Sequence, residues 1–227
     1  RVKLAAVVNL QNIRRVKLNR WDSRELLAER YGFQSLDYLL AIGTTLGGPN
    51  TSLRLFSSLS PKLPAAAVVV QEISPKILPA FVKKFDEYVP WKVEVAQDGA
   101  VLEQGICYIS SYENTITFQV NANREICLQV GGTSDKPLNA MFASAADIFE
   151  RHAIGLLLTG IGDDGAEGFA RIKKKSGVTI AQEVETCVYP NLIQCAIERK
   201  VVDFVVNENN LPTTIATLME GAVHVEM

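Results

Sequence analysis

The chain has 227 residues, 48% of them apolar and 21% charged, with 23 basic side chains against 25 acidic ones. That length holds one substantial core or two small ones, and the near-neutral balance offers no electrostatic footprint for nucleic acid. No apolar run reaches the roughly 18 residues of a membrane span, and the charged start Arg1-Val2-Lys3-Leu4 is not a signal peptide, so no membrane insertion is expected. The four cysteines, Cys107, Cys127, Cys187 and Cys195, form no CxxC pair and have no histidine at metal-ligand spacing. This favours reduced thiols in a cytoplasmic protein over disulfides or structural zinc.

The chain begins at Arg1, without an initiator Met, and reads as a piece of a longer protein. Residues 1–38 have a basic flavour from Arg1, Arg14, Arg15, Lys17 and Arg20, and Ser23 can cap a short helix from Arg24 to Tyr31 before Gly32. They are expected to be a linker or the tail of a preceding domain, with the main domain spanning 39–227. Leu39 to Ile42 then reads as a short buried strand, and Pro49 opens a helix to about Leu59. Ala65 to Gln71 is a strand of small and β-branched residues. A helix follows from Ser74-Pro75 to about Tyr88, with Leu78, Phe81, Val82 and Phe85 at helical spacing.

The middle breaks the rhythm. Lys92–Val95, Ile106–Ile109, Thr115–Val120 and Glu125–Val130 read as short strands, with Asn121-Ala122-Asn123 as a turn. An antiparallel insertion is expected here, with a hairpin over about 106–130. Alternation returns with a helix from about Asn139 to His152, a strand at Gly155–Leu158, a helix at Ala166–Lys175 and a strand at Val178–Gln182. Helices at Leu192–Arg199 and about Thr213–Met219 end the chain. Strands alternating with helices predict an α/β fold: a doubly wound, mostly parallel sheet carrying an antiparallel hairpin insertion. In such folds ligands bind beyond the carboxyl ends of the strands, which singles out the loops 43–49, 71–75 and 159–168.

The first of these, Ile42-Gly43-Thr44-Thr45-Leu46-Gly47-Gly48-Pro49, is a glycine-rich turn from strand into helix. It suits close backbone approach and negative charge at the helix start, although an ordinary tight turn explains it as well. The third, Leu158-Thr159-Gly160-Ile161-Gly162-Asp163-Asp164-Gly165-Ala166-Glu167-Gly168, sets two aspartates among four glycines. One aspartate is accounted for as a cap on the following helix; the glycine density is not.

Together these loops resemble the signature loops of the chemotaxis receptor methylesterase family, the CheB type. Val70-Gln71 and Pro75 are similar to its second active-site loop. Asp98-Gly99 and Gly105-x-x-Tyr108-Ile109 are similar to its central strands. Thr179 to Gln182 with Cys187-Val188 is similar to its penultimate strand and loop. The resemblance covers about residues 39–219. It implies a domain that hydrolyses receptor glutamate methyl esters with a serine, a histidine and an aspartate, needs no cofactor or metal, and commonly follows a receiver domain. It also implies a chemoreceptor or another signalling protein as partner.

Carried over position by position, the aspartate is Asp164. The serine position holds Thr45, the histidine position Glu72, the following threonine position Leu46, and an aspartate position in the next helix Asn139. The backbone amide of Ile161 is the oxyanion position. A serine triad requires a base near working pH that moves a proton both ways. Glu72, with an ordinary carboxyl pKa of about 4.3, is a poor shuttle and presents like charge to Asp164. Thr45 adds a methyl group in a turn suited to serine. His152, at a helix end, and His224, near the C-terminus, fall in no site loop, and Cys187 has no histidine beside it to lower its pKa.

The expected function is therefore a CheB-like domain in chemotaxis or two-component signalling that is catalytically inactive and acts as a regulatory or protein-binding scaffold. The alternative is a divergent carboxylic-ester hydrolase using Thr45 and Glu72. A third arrangement, an oxygen-rich cation site from Thr45, Glu72, Asp163 and Asp164, suits the ligand chemistry of Mg²⁺ or Ca²⁺. A hydrolase is expected to keep free donors around an oxyanion, whereas a scaffold is expected to fill that space with Leu46 and Ile161.

Overall fold

Why the strands of this domain read as unbroken apolar runs becomes clear from β2 (Ala65–Gln71), which is buried along its whole length. Ala65, Ala67 and Val69 face one hydrophobic core, while Ala66, Val68 and Val70 face a second on the opposite side of the sheet. A strand covered on both faces has no polar face to alternate with. The computed structural model describes residues 36–220; the expected helix Arg24–Tyr31 and most of the 1–38 segment lie outside the described residues.

The remaining elements are β1 (Tyr38–Gly43), α1 (Gly48–Ser58), α2 (Leu78–Asp86), β3 (Lys92–Val95), β4 (Ile106–Ser111), β5 (Ile116–Val120) and β6 (Ile126–Val130). After them come α3 (Pro137–Phe149), β7 (Ala153–Leu157), α4 (Ala166–Lys174), β8 (Val178–Gln182), α5 (Asn191–Glu198), β9 (Phe204–Val206) and α6 (Leu211–Glu220). Seven strands form one sheet in the order β3-β4-β2-β1-β7-β8-β9, and every pairing in it is parallel. Helices α1, α2 and α6 pack on one face. Helices α3, α4 and α5 pack on the other, together with the hairpin. The doubly wound, mostly parallel sheet is thus present, and β5 and β6 form the antiparallel hairpin insertion.

The hairpin is shorter than expected. Lys92–Val95 and Ile106–Ser111 belong to the parallel sheet, not to an antiparallel insertion. The segment 96–105 returns the chain from β3 to β4 without a helix, through Gly99 and Gly105 at positive φ. A parallel crossover normally contains a helix; without one, the sequence presents strand, turn and strand, the pattern of a meander. Strand β9, three residues long at the sheet edge, carries too little periodicity to be read from sequence.

From β1 the chain builds outward on one side, with β2, β4 and β3 in spatial order, and after the hairpin restarts at β7 on the other side of β1. The loops after β1 and β7 therefore diverge at a topological switch point, where folds of this class place ligands. Among the described residues, no helix is long and apolar enough to cross a membrane.

Candidate functional site

The turn after β1 is shaped by Gly47, whose φ of 85° lies in the left-handed region, and Pro49 sits in the first turn of α1. This brings Thr44 and Thr45 against the loop after β7. The Thr44 hydroxyl donates to the Thr159 carbonyl at 2.6 Å. The Thr45 hydroxyl accepts from the Ile161 amide at 2.7 Å and donates to the Ile161 carbonyl at 3.0 Å. Gly160 permits the approach: a Cβ there would lie 2.5 Å from Thr45 Oγ1 and 3.0 Å from its backbone nitrogen. Thr45 and Ile161, expected from the sequence as nucleophile and oxyanion positions, thus meet, and each uses the other as its hydrogen-bond partner.

Asp164 is 2% exposed. Its carboxylate accepts from the amides of Leu138 at 2.8 Å, Asn139 at 3.0 Å and Gly165 at 2.8 Å, and from the Tyr112 hydroxyl at 3.0 Å. Leu138 and Asn139 are the second and third residues of α3. Their amides have no partner within the helix, so Asp164 serves as a remote N-cap. Asn139 returns the arrangement: its side-chain carbonyl accepts from the Gly165 and Gly168 amides, at 3.0 and 2.9 Å, at the start of α4. The two helices cap each other, so the α4 cap comes chiefly from Asn139 and not from an adjacent aspartate. The neighbouring Asp163 is exposed and pairs with Lys136, which holds its carboxyl below the usual range.

Glu72, the residue after β2, is exposed. Its backbone lies beside Tyr112, because the pairing of Gln71 with Ser111 continues into a bond from the Tyr112 amide to the Gln71 carbonyl at 2.8 Å. The three family positions therefore share one edge, on β1, β2 and β7, but among the described residues neither Thr45 nor Asp164 hydrogen-bonds Glu72.

The CheB methylesterase family profile matches residues 40–215. The chain belongs to the CheB methylesterase family. Among its relatives, the protein-glutamate methylesterase/protein-glutamine glutaminase of Pyrococcus horikoshii is 31% identical over 186 residues, covering 80% of this chain and 50% of that protein. One from Methanosarcina mazei is 30% identical over 193 residues, covering 82% and 53%. The chain thus spans about half the length of these relatives. The crystal structure of the Thermotoga maritima CheB methylesterase catalytic domain is similar, with a TM-score of 0.74 and 27% identity, over 81% of this chain and 97% of that one.

In this CheB-type domain the other candidates lie elsewhere or are occupied. His152 is buried at the opposite, amino end of the sheet; its ring stacks on Tyr38 at 4.9 Å, and Nδ1 lies 2.8 Å from the Asp37 carbonyl. His224 lies outside the described residues. Burial pushes the Cys187 thiol up to about 12, away from thiolate chemistry. The oxygen-rich cation cluster does not form. Among the described residues no three acidic, His or Cys side chains are placed to hold a metal, because Lys136 pairs with Asp163 and backbone amides occupy Asp164. Leu46 and Ile161, the side chains expected to fill the space in a scaffold, are 42% and 49% exposed.

Sequence reasoning missed Tyr112. Desolvation raises its phenol well above its ordinary value, and the Asp164, Asp163 and Glu72 carboxylates add to the shift. Its only signal was an aromatic residue directly after β4, at the same edge as the site loops. Gln182, at the end of β8, was also missed. Its side-chain carbonyl accepts from the Thr159 amide at 2.9 Å and its nitrogen donates to the Thr186 carbonyl at 3.0 Å, fixing the loop that carries Ile161.

Proposed function

We propose that this domain keeps the CheB scaffold as a receptor-facing regulatory or protein-binding module and does not hydrolyse glutamate methyl esters. One observation carries the reading: the Thr45 hydroxyl and the Ile161 amide are hydrogen-bonded to each other. An attacking hydroxyl must pass its proton to a base, and an oxyanion donor must be aimed at the substrate oxygen. Here the proton goes to a backbone carbonyl, and the donor amide is spent on the hydroxyl.

Against a divergent hydrolase using Thr45 and Glu72 stands the absence, among the described residues, of a hydrogen bond between them, where direct proton transfer requires an approach of about 3 Å. Glu72 stands exposed beside Tyr112 instead. Four donors on Asp164 account for that carboxylate without catalysis. The relatives are named for acting on glutamate methyl esters and glutamine side chains in proteins. A protein carrying glutamates of this kind, such as a chemoreceptor, is the partner class we assign, in a cytoplasmic two-component setting. A receiver domain as its neighbour in the protein belongs to the same proposal.

The test is calorimetric titration of the chain with a methylated chemoreceptor cytoplasmic fragment, followed by mass analysis of the fragment. Binding with every methyl ester retained is the expected result. Loss of methyl groups during the titration contradicts the reading.

A further inference from the structure

Asp164 is the one triad position whose residue type is unchanged, yet its carboxylate has no room for the partner a triad requires. Three backbone amides and one phenol donate to it, and two carboxylate oxygens offer about four lone-pair sites. Of the four donors, the amides of Leu138, Asn139 and Gly165 are fixed by the starts of α3 and α4. Only the Tyr112 hydroxyl comes from a side chain.

Tyr112 also comes from the strand beside position 72. It follows β4, where the strand pairing sets it directly beside Glu72, and its hydroxyl spans from there to Asp164 Oδ2 on the loop after β7. The ring is partly buried, and the negative charge of Glu72 acts on it. In the sheet order β4-β2-β1-β7 the tyrosine starts on the far side of position 72 from Asp164, and its hydroxyl crosses to that carboxylate.

We propose that Tyr112 occupies the base's place at Asp164, a positioning residue that holds this carboxylate as a helix cap and closes it to any side chain at position 72. The inference deepens the inactive-scaffold reading and rests on it: the site has lost its base position in two ways, by the replacement at 72 and by the phenol at the carboxylate. Restoring a histidine alone then does not restore a histidine–aspartate pair.

The test is the titration of the imidazole introduced by Glu72→His in the full chain, followed by NMR of its ring protons. Glu72 is exposed, so this variant is expected to fold. With Tyr112 intact the imidazole titrates near the ordinary value of about 6.5. Adding Tyr112→Ala frees the carboxylate, and the same imidazole then titrates about one unit or more higher, because Asp164 steadies its charged form. A raised value in Glu72→His alone overturns the proposal, since the phenol would have yielded. An unraised value after Tyr112→Ala, in a variant whose spectrum is folded, overturns it equally. If the Ala form does not fold, Glu72→His with Tyr112→Phe, which removes only the hydroxyl bonded to Asp164, decides in its place: a raised imidazole is expected, and an unraised one overturns the proposal. Neither readout depends on turnover, so failure here is distinct from methyl-ester hydrolysis by the unmodified chain.

Discussion

The loops after β7 and after β2 leave the same edge of the same sheet, separated by β1 alone, yet they are built differently. The β7 loop is bound into the fold at nearly every polar group: Thr159 to Gln182, Ile161 to Thr45, and Asp164 to α3 and Tyr112. At the β2 loop the family's base position is an exposed glutamate outside that network. The difference teaches that the Asp164 carboxylate has a structural task, capping α3, that needs no base at position 72.

This contrast is sharpest in stability. Asp164→Ala leaves two amides of α3 and the Tyr112 hydroxyl without an acceptor in a buried site. The expected loss is about 3–5 kcal/mol, from a lost cap plus unsatisfied buried donors. Chemical denaturation checks it, and a loss under about 1 kcal/mol would show that the carboxylate is not holding the two helices. Gly160→Ala comes next, at about 2 kcal/mol, because the added carbon meets the Thr45 hydroxyl and backbone and the Leu192 side chain; the same denaturation midpoint reads it.

Tyr112→Phe is expected to cost about 1 kcal/mol at neutral pH and to alter the alkaline limb. The folded phenol holds its proton beyond the unfolded value of 10.0. Its contribution is therefore complete below pH 10.0 and declines as pH rises above it. Tyr108, pushed up to about 12, remains in the variant, so stability above pH 10.0 falls less steeply but still falls. An unchanged slope would separate Tyr112 from the buried network. The smallest effect belongs to the β2 loop: Glu72→Gln should change stability by no more than about 0.5 kcal/mol. A larger shift in the midpoint would erase the contrast between the two loops.

Much of the architecture was legible because both-face burial makes the central strands continuous apolar runs. Ala65–Gln71 and Val178–Gln182 end where the residues change character, and the proline and glycines around Gly47 mark the first turn. The site loops were legible for the same reason, as glycine clusters at strand ends. What sequence could not supply was partnership across distance. Asp164 caps a helix that begins 27 residues earlier, at Pro137, and Asn139 caps the helix that follows Asp164; neither pairing leaves a local pattern. The parallel course of β3 and β4 was hidden by the helix-free return at 96–105. The mutual hydrogen bonding of Thr45 and Ile161 depends on directions that composition does not encode.

The central claim is that the Thr45 hydroxyl is a structural group and not a nucleophile. Methanol release from methylated chemoreceptor, measured side by side for the unmodified chain, its Thr45→Ala variant and the Pyrococcus horikoshii relative, tests it most directly. The account predicts background release from the first two. Release by the unmodified chain at a rate comparable to the relative, abolished by Thr45→Ala, would contradict it.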